Sequence, residues 1–315
     1  MTLTSANLAL SLLCNGDCLY CPSDRGENIQ PKIMPLGYAK KIVDEMCSEK
    51  FRSVHRVIKF EFGENGDAFL NPDVIEIMRY VKSHLPDVNK NVYTNFFNLT
   101  EEKSKIILKE GLLDSVVCNI DGADDVSYHE VKRLSFSLTR RNLLSFLRLR
   151  RELKADVHLT ILSLTLAYYV ERIMKLGLSP SKLRGVDDGC VTDDYGTIQE
   201  EWSKLIDPRT DMIRRPKVIG WAERSSIPIG HVDYRSYSCP LLQRVKEECF
   251  IAPDGTWYAC CRDSKNELAL GNVIEESILK VCEGERRMKL IRLLERGEFQ
   301  SIGGPCRTVN CCQEL

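Results

Sequence analysis

Short apolar and β-branched segments alternate with helical patterns from residue 7 to about residue 186, and this alternation restricts the fold. Strands that alternate with helices form a parallel sheet with right-handed crossovers. The sequence therefore predicts an α/β fold, in which six strand–helix units would form a partial or complete barrel. The predicted strands are Leu8–Leu13, His55–Phe62, Val88–Thr94, Asp114–Ile120, Val157–Leu162 and Leu183–Val186, and the predicted helices are Pro35–Cys47, Asp73–His84, Thr100–Glu110 and Arg140–Leu153.

The alternation ends near residues 207–230, where prolines and glycines interrupt the pattern. We therefore predict two domains, residues 1–225 and 226–315. In the second, the strand-like segments Glu248–Ala252 and Thr256–Cys261 flank Pro253, Asp254 and Gly255. An Asp-Gly pair between two strands is a strong hairpin signal, and a long helix is predicted to follow at Ser277–Arg296.

The charge balance excludes one broad class of function. The chain of 315 residues has 44 Lys and Arg against 45 Asp and Glu, so it lacks the basic excess of a nucleic-acid-coating protein. It has no run of 18 apolar residues and no secretory leader, so no membrane span or export is expected. Its 14 cysteines then indicate metal or redox chemistry in a reducing compartment, which we take to be the cytoplasm.

The first cysteine group, Cys14, Cys18 and Cys21, has the spacing C-x3-C-x2-C. Three thiolates on one short loop can hold three irons of a 4Fe–4S cube, and the fourth iron then stays open for a small molecule. Gly16 lets the loop turn back on itself. The alternatives are a zinc site or chance clustering, although no fourth Cys or His lies close by in the sequence.

The second cysteine group lies near the C-terminus, with the spacing C-x15-G-x4-C from Cys239 through Gly255 to Cys260. Cys306 and either Cys311 or Cys312 would complete four thiolates, a fully ligated cluster suited to electron transfer. Cys261 is a neighbouring duplicate of Cys260, and the ligand could be either. A zinc ion held by four cysteines is the alternative.

The cysteine loop after the first strand, with the aromatic Tyr20 before its last cysteine, resembles that of the radical S-adenosylmethionine (SAM) enzymes. Weaker motifs in the same order agree with this. The segment Phe62–Pro72 resembles the family's glycine-rich segment after strand 2, and Thr94-Asn95 resembles the end of its strand 3. Asn119–Gly122 resembles the S-x-D-G motif at the end of its strand 4, and His129-x3-Arg133 follows as in many members. The C-terminal cysteines, together with Leu270-Gly271-Asn272, resemble the twitch auxiliary-cluster domain.

This resemblance implies a partial (β/α)6 TIM-like barrel, followed by a small domain of one β-hairpin and a helix that carries the auxiliary cluster. It also implies two 4Fe–4S clusters, SAM consumed in each turnover, and an external electron donor such as flavodoxin or ferredoxin. In the family, an electron from the first cluster cleaves SAM to a 5′-deoxyadenosyl radical that abstracts a substrate hydrogen. The implied cofactor-binding residues are Tyr20, Gly66, Asp67, Asn95, Asn119, Asp121 and Arg133.

Cys249 is a cysteine of the C-terminal group that the cluster pattern leaves over. The resemblance implies that Cys249 is a hydrogen-atom donor, because an S–H bond is weaker than a typical C–H bond. A radical made on one face of a carbon and quenched from the other inverts the stereocentre, so the pattern resembles the family's aminoglycoside epimerases. The alternatives are a buried structural Cys249 in a radical dehydrogenase of an aminocyclitol, or a non-catalytic zinc module.

An acidic run follows the predicted sixth strand. Aminoglycosides carry several ammonium groups, which carboxylates in a cleft would attract, so we predict substrate contacts from Asp187 and Asp188. A solvated acidic loop is the alternative. The run comprises Asp187, Asp188, Asp193, Asp194, Glu200 and Glu201.

Overall fold

The computed structural model describes residues 2–21, 29–63, 65–174, 193–216, 238–263 and 267–308. The chain divides into two units that are each formed by discontinuous segments. The first unit comprises residues 1–13, 22–90 and 219–314, and the second comprises residues 14–21 and 91–218 together with residue 315. The predicted domain boundary at residue 225 lies outside the described residues, and the division into 1–225 and 226–315 stays a prediction.

The first unit contains a sheet in the order β2-β1-β7-β8-β9. Strand β1 (Ser5–Leu8) lies parallel to both β2 (Lys59–Phe62) and β7 (Glu248–Ile251), with Leu8 opposite Phe62 and Ile251. Strands β8 (Thr256–Tyr258) and β9 (Ala269–Asn272) continue the sheet in antiparallel pairing. The predicted hairpin about Asp254-Gly255 is therefore confirmed, and Gly255 turns it with φ +87°.

Helices of the first unit pack their apolar positions inward. Helix α1 (Leu36–Cys47) buries Ala39, Ile42, Val43 and Met46 at helical spacing, as predicted. The short α2 (Glu49–Arg52) follows, and α3 (Val74–His84) buries residues with the same spacing. Near the C-terminus lie α9 (Leu242–Glu247), α10 (Ile278–Cys282), α11 (Glu285–Glu295) and α12 (Phe299–Ile302). The single helix predicted at Ser277–Arg296 is thus two helices, because the chain turns at Gly284, which is extended and caps α11.

The second unit contains parallel strands in the order β6-β5-β4-β3. These are β3 (Asn89–Thr94, whose first two residues belong to the first unit), β4 (Ser115–Asn119), β5 (His158–Leu162) and β6 (Met212–Arg214). The predicted sixth strand, Leu183–Val186, lies outside the described residues. The described strand beside β5 is Met212–Arg214, in the region that the sequence analysis assigned to a domain boundary.

The helices of the second unit follow its strands in sequence. They are α4 (Glu101–Glu110), α5 (Asp125–Lys132), α6 (Phe136–Leu153), α7 (Leu166–Met174) and α8 (Tyr195–Ser203). Thr100 caps α4, and Asp124 and Ser127 form a reciprocal capping box at the start of α5. The predicted α/β class, with parallel strands and a C-terminal antiparallel hairpin with helices, is confirmed. No helix in the described part of the chain is long and apolar enough to cross a membrane.

Candidate functional site

The loop that carries Cys14, Cys18 and Cys21 is fixed along the end of α5 in the second unit. The backbone N–H of Asp17 donates to the Lys132 carbonyl at 3.1 Å, and that of Leu19 donates to the Val131 carbonyl at 2.8 Å. A Cβ at Gly16 would lie 3.3 Å from Leu134 Cδ1 and 3.4 Å from the Lys132 carbonyl, so a larger residue at this position would crowd the end of α5.

The three thiols of this loop can hold a 4Fe–4S cube. All three are half-buried. Burial raises the pKa of Cys18 to about 11, Lys132 opposes the rise, and the charges of Cys21 and Cys14 add to it. A 4Fe–4S cube takes each thiolate on a separate iron, and this loop supplies three of them.

Tyr20, Asp121 and Lys132 form a buried triad beside the cysteine loop. The Tyr20 hydroxyl donates to Asp121 Oδ2 at 2.6 Å. Lys132 Nζ donates to the Tyr20 oxygen at 2.9 Å and lies 3.1 Å from Asp121 Oδ2. The other carboxylate oxygen, Oδ1, accepts from the Leu164 N–H at 2.7 Å. The structure thus brings together two predicted cofactor residues, Tyr20 and Asp121, and joins them through hydrogen bonds.

Charge shapes the protonation states of this triad. Burial and the neighbouring Asp121 carboxylate raise the pKa of Tyr20 well above its usual value. Burial alone would lower the pKa of Lys132, but Asp121 and its other acidic neighbours outweigh that effect and raise it. At neutral pH the Tyr20 phenol and the Lys132 ammonium therefore both keep their protons.

Sequence analysis missed Lys132 and named Arg133 instead. Arg133 is exposed and ends α5 in the left-handed conformation, with φ 56°. His129, at the start of the same motif, is also exposed. The signal that could have found Lys132 is helical phase, because Lys132 follows the buried Tyr128 by one helical turn. The role of Arg133 in cofactor binding stays a prediction.

Asn95 follows β3 and contacts the cysteine loop. Its Nδ2 donates to Asn15 Oδ1 at 3.2 Å and lies 3.8 Å from Cys14 Sγ. Its Oδ1 accepts from the Phe97 N–H at 2.9 Å, so it also forms a turn. Asn119 is half-buried at the end of β4, and its carbonyl accepts from the Tyr128 hydroxyl at 3.5 Å.

Gly66 and Asp67, which belong to the first unit, lie against the chain just after β1. Gly66 has φ +79°, and a Cβ there would lie 2.2 Å from the Ser11 carbonyl oxygen, so only glycine fits. The Asp67 N–H donates to the Leu13 carbonyl at 2.8 Å, and its carboxylate accepts from the Phe69 N–H at 2.9 Å. Asp67 is buried and caps a short 3-10 helix, Ala68–Leu70. Its contact with SAM stays a prediction.

The C-terminal cysteines Cys239, Cys260 and Cys306 line one cavity of the first unit. Cys311 and Cys312 lie outside the described residues. Cys261 has a different environment, since its Sγ accepts from Arg244 Nη1 at 3.1 Å. Arg244 in turn donates to Glu248, with Nε 2.8 Å from Oε2. Of the two alternatives left open by the sequence, Cys260 is therefore the one on the cavity wall.

Cys249, on β7, has its thiol fully buried within the first unit. Burial raises the pKa of this thiol to about 12, and the charge of Cys282 on α10 adds to the rise. Cys249 is consequently a protonated thiol at neutral pH.

The acidic run is largely paired where the structure describes it. Asp187 and Asp188 lie outside the described residues. Asp193 accepts from Arg215 and, at 2.9 Å, from Thr165 Oγ1. Glu200 pairs with Lys204, and Glu201 with Arg140. These three carboxylates thus have cationic partners within the chain, and substrate binding by Asp187 and Asp188 stays a prediction.

Comparison with known families gives two matches. The model of the radical SAM superfamily matches residues 9–171, and that of SPASM, an iron–sulfur cluster-binding domain, matches residues 239–312. No curated protein matches the chain.

Solved structures share the fold at low sequence identity. The structure of BtrN in complex with AdoMet and 2-DOIA is 11% identical, with a TM-score of 0.54, over 98% of this chain and 92% of that one. That of anSMEcpe with bound AdoMet is 15% identical, with a TM-score of 0.60, over 98% and 84% of the two chains. Streptococcus suis SuiB bound to precursor peptide SuiA is 13% identical, with a TM-score of 0.59, over 99% and 76%.

Proposed function

Because this chain belongs to the radical SAM superfamily, we propose that it is an epimerase that inverts a C–H stereocentre of an aminoglycoside. The specific reaction we propose is the conversion of neomycin C to neomycin B at C5‴. The superfamily and the SPASM domain make the chain an enzyme that uses SAM and iron–sulfur clusters. The substrate, the stereochemical outcome and the roles of single residues belong to the proposal.

The cysteine loop would hold the catalytic cluster through Cys14, Cys18 and Cys21. When bound, this cluster and SAM supply the radical that abstracts the substrate hydrogen. The hydrogen bonds of Asp17 and Leu19 to the end of α5 hold the loop backbone in one conformation. The triad of Tyr20, Asp121 and Lys132 fixes the aromatic side chain that precedes Cys21. These groups therefore orient the loop; they do not react.

The observation that carries the epimerase proposal is the fully buried thiol of Cys249 on β7, the strand that pairs with β8 just before Cys260. Burial raises the pKa of this thiol to about 12, which keeps its proton in place at neutral pH. A hydrogen-atom donor must carry the S–H proton, and a thiolate could not act. Transfer breaks the S–H bond, forms a new C–H bond on the substrate and leaves a sulfur-centred radical. One electron and one proton then restore the thiol, so the substrate undergoes no net oxidation.

The auxiliary cluster is the proposed route for that electron. Cys260 follows β8, which pairs with the strand that bears Cys249, and Phe250 lies opposite Tyr258. A cluster held by Cys239, Cys260, Cys306 and one of Cys311 and Cys312 would thus be bound beside the same hairpin. The ultimate donor would be a reduced flavodoxin or ferredoxin.

The second candidate is a radical dehydrogenase that oxidises an aminocyclitol alcohol to a ketone. Cys249 lies in the core of the first unit, so a packing role alone also accounts for its burial, as this reaction requires. In that reaction the auxiliary cluster would take an electron from the substrate radical. Cys249 would then be dispensable for chemistry.

An anaerobic assay of neomycin C separates the two candidates. We expect wild type and the matched Cys282→Ala variant to form neomycin B, and Cys249→Ala to form none while still cleaving SAM. Formation of neomycin B by Cys249→Ala would refute the donor role. A ketone product from an aminocyclitol, with neomycin C unchanged, would establish the dehydrogenase.

A further inference from the structure

The cavity of the first unit that is lined by Cys239, Cys260 and Cys306 has Arg262 as the cationic side chain among the described residues of its wall. Otherwise the wall is mainly apolar and includes Val245 from α9 and Leu290 and Leu294 from α11. An arginine in such surroundings loses water and needs an acceptor in exchange. The cavity is therefore the place to look for that acceptor.

Arg262 is one of the residues that line this cavity, and its guanidinium holds a buried donor that has no protein acceptor in the described part of the chain. Its Nη1 is shielded from solvent and has no hydrogen-bond partner among those residues. Leaving a buried charged donor unsatisfied costs more free energy than leaving a neutral one unsatisfied. The guanidinium would be expected to turn outward to water unless something in the cavity accepted from it.

The local backbone holds Arg262 beside Cys260. The Asp263 N–H donates to the Cys260 carbonyl at 3.0 Å, which closes a tight turn with Arg262 inside it. The Asp263 carboxylate accepts from the N–H groups of Glu267 and Leu268, both at 2.9 Å. These two hydrogen bonds anchor the turn. They also engage the carboxylate of Asp263, the acidic residue nearest to Arg262 in the sequence.

We propose that Arg262 donates a hydrogen bond from Nη1 to a sulfur of the auxiliary cluster and so sets its reduction potential. The proposal rests on the part of the proposed function that assigns this cluster to Cys239, Cys260 and Cys306. Thiolate-ligated clusters carry negative charge and have sulfur acceptors, and hydrogen bonds to those sulfurs are one of the ways that proteins tune them. Arginine is suited to such a site, since its weakly hydrated fork stays charged when buried.

The consequence is a cluster that accepts an electron more readily. Reduction adds one negative charge, so a nearby cation stabilises the reduced form more than the oxidised form. Arg262 is therefore a positioning and tuning residue and does not touch the substrate. Arg244 differs from it, because Arg244 donates to the thiol of Cys261, which lies beside the cavity ligand in sequence.

The test is an EPR-monitored redox titration of the full chain, purified without oxygen. Replacing Cys14, Cys18 and Cys21 with Ala leaves only the auxiliary cluster to give a signal, at about four irons per chain. In this background we expect Arg262→Met to shift the midpoint potential to a more negative value and Arg262→Lys to shift it less. The control Arg286→Met removes an exposed cation from α11 and is expected to change nothing.

An unchanged potential in Arg262→Met, with full iron content, overturns the proposal. If the Met variant loses iron, pulsed EPR of the parent chain labelled with 15N-arginine tests instead whether an arginine lies against the cluster. The proposal requires a guanidinium nitrogen coupling that disappears in Arg262→Lys, and its absence from the parent refutes it. A colourless parent chain that holds zinc also refutes it. None of these measurements needs SAM or substrate, so an inactive epimerase would leave the result intact.

Discussion

Lys132 Nζ lies 3.1 Å from Asp121 Oδ2, and both side chains are almost completely buried beside the loop of Cys14, Cys18 and Cys21. The carboxylate joins this pair to the Tyr20 hydroxyl and to the backbone at Leu164. One buried ion pair thus connects the cysteine loop, the end of β4 and the end of β5. Its integrity is expected to control the stability of the loop.

Lys132→Met should strongly destabilise the chain. It leaves the Asp121 carboxylate buried without its cation, and breaking such a pair typically costs about 3–5 kcal/mol. Thermal unfolding of the anaerobic protein would show this as a lower midpoint. The double variant Lys132→Met with Asp121→Asn should recover part of the loss, whereas Lys204→Met, in an exposed pair with Glu200, should change little. A Lys132→Met chain as stable as wild type would contradict this account of the triad.

Gly66→Ala should destabilise the first unit. The new Cβ would lie 2.2 Å from the Ser11 carbonyl oxygen, at a positive φ of +79° that alanine rarely adopts. Substitutions of this kind cost more than about 1 kcal/mol. Gly37→Ala is the matched control, because nothing lies within 4 Å of its added methyl group and it is in helix α1. Equal unfolding midpoints for the two variants would show that the backbone at Gly66 can relax.

His55 should make stability depend on pH near neutrality. Burial lowers its pKa below the ordinary 6.5, and the Arg287 guanidinium lowers it further. The neutral ring accepts from the Leu3 N–H through Nδ1 at 3.2 Å. Because the folded pKa is below the unfolded one, the contribution is fully present above pH 6.5 and is lost as the pH falls toward the folded pKa.

The matched variant for this test is His55→Asn, whose side-chain oxygen can accept from the same N–H but does not titrate. Between pH 7.5 and 5.5, wild type should lose stability relative to His55→Asn. Parallel pH profiles for the two proteins would mean that His55 does not titrate differently on folding.

The adjacent Cys260 and Cys261 should respond differently to substitution. Cys260 lines the cavity with Cys239 and Cys306, whereas Cys261 accepts from Arg244. Cys260→Ala should therefore lose about four of about eight irons per chain, and Cys261→Ala should keep them. Iron analysis of the anaerobic variants measures this directly. Iron loss confined to Cys261→Ala would reverse the assignment.

Much of the fold could be predicted from periodicity, and its failures have physical reasons. Helices α1, α3 and α4 bury residues at helical spacing and begin within a residue or two of the predicted positions. Strand β6 escaped prediction because its three residues, Met212–Arg214, are exposed or half-buried and form no apolar run. The helix break at Gly284 also escaped, since apolar spacing continues on both sides of it.

The candidate site was predictable in its cysteines but not in its supporting contacts. Spacing alone predicts Cys14, Cys18 and Cys21 as cluster ligands, and that assignment stays a prediction. The His129-x3-Arg133 motif led to Arg133, whereas the helical phase set by the buried Tyr128 would have favoured Lys132, which pairs with Asp121. Likewise, Cys260 and Cys261 are equivalent in sequence, and they differ in the structure because Cys260 lines the cavity and Cys261 accepts from Arg244.

The proposed hydrogen donation to C5‴ is tested most directly by following solvent hydrogen into the product. Wild-type enzyme would convert neomycin C in deuterated water without oxygen, over many turnovers, and the product would be examined by NMR and mass spectrometry. Because the donor thiol regains its hydrogen from solvent, the account predicts neomycin B with one deuterium at C5‴ and unlabelled residual neomycin C. Neomycin B without deuterium at that carbon would contradict it.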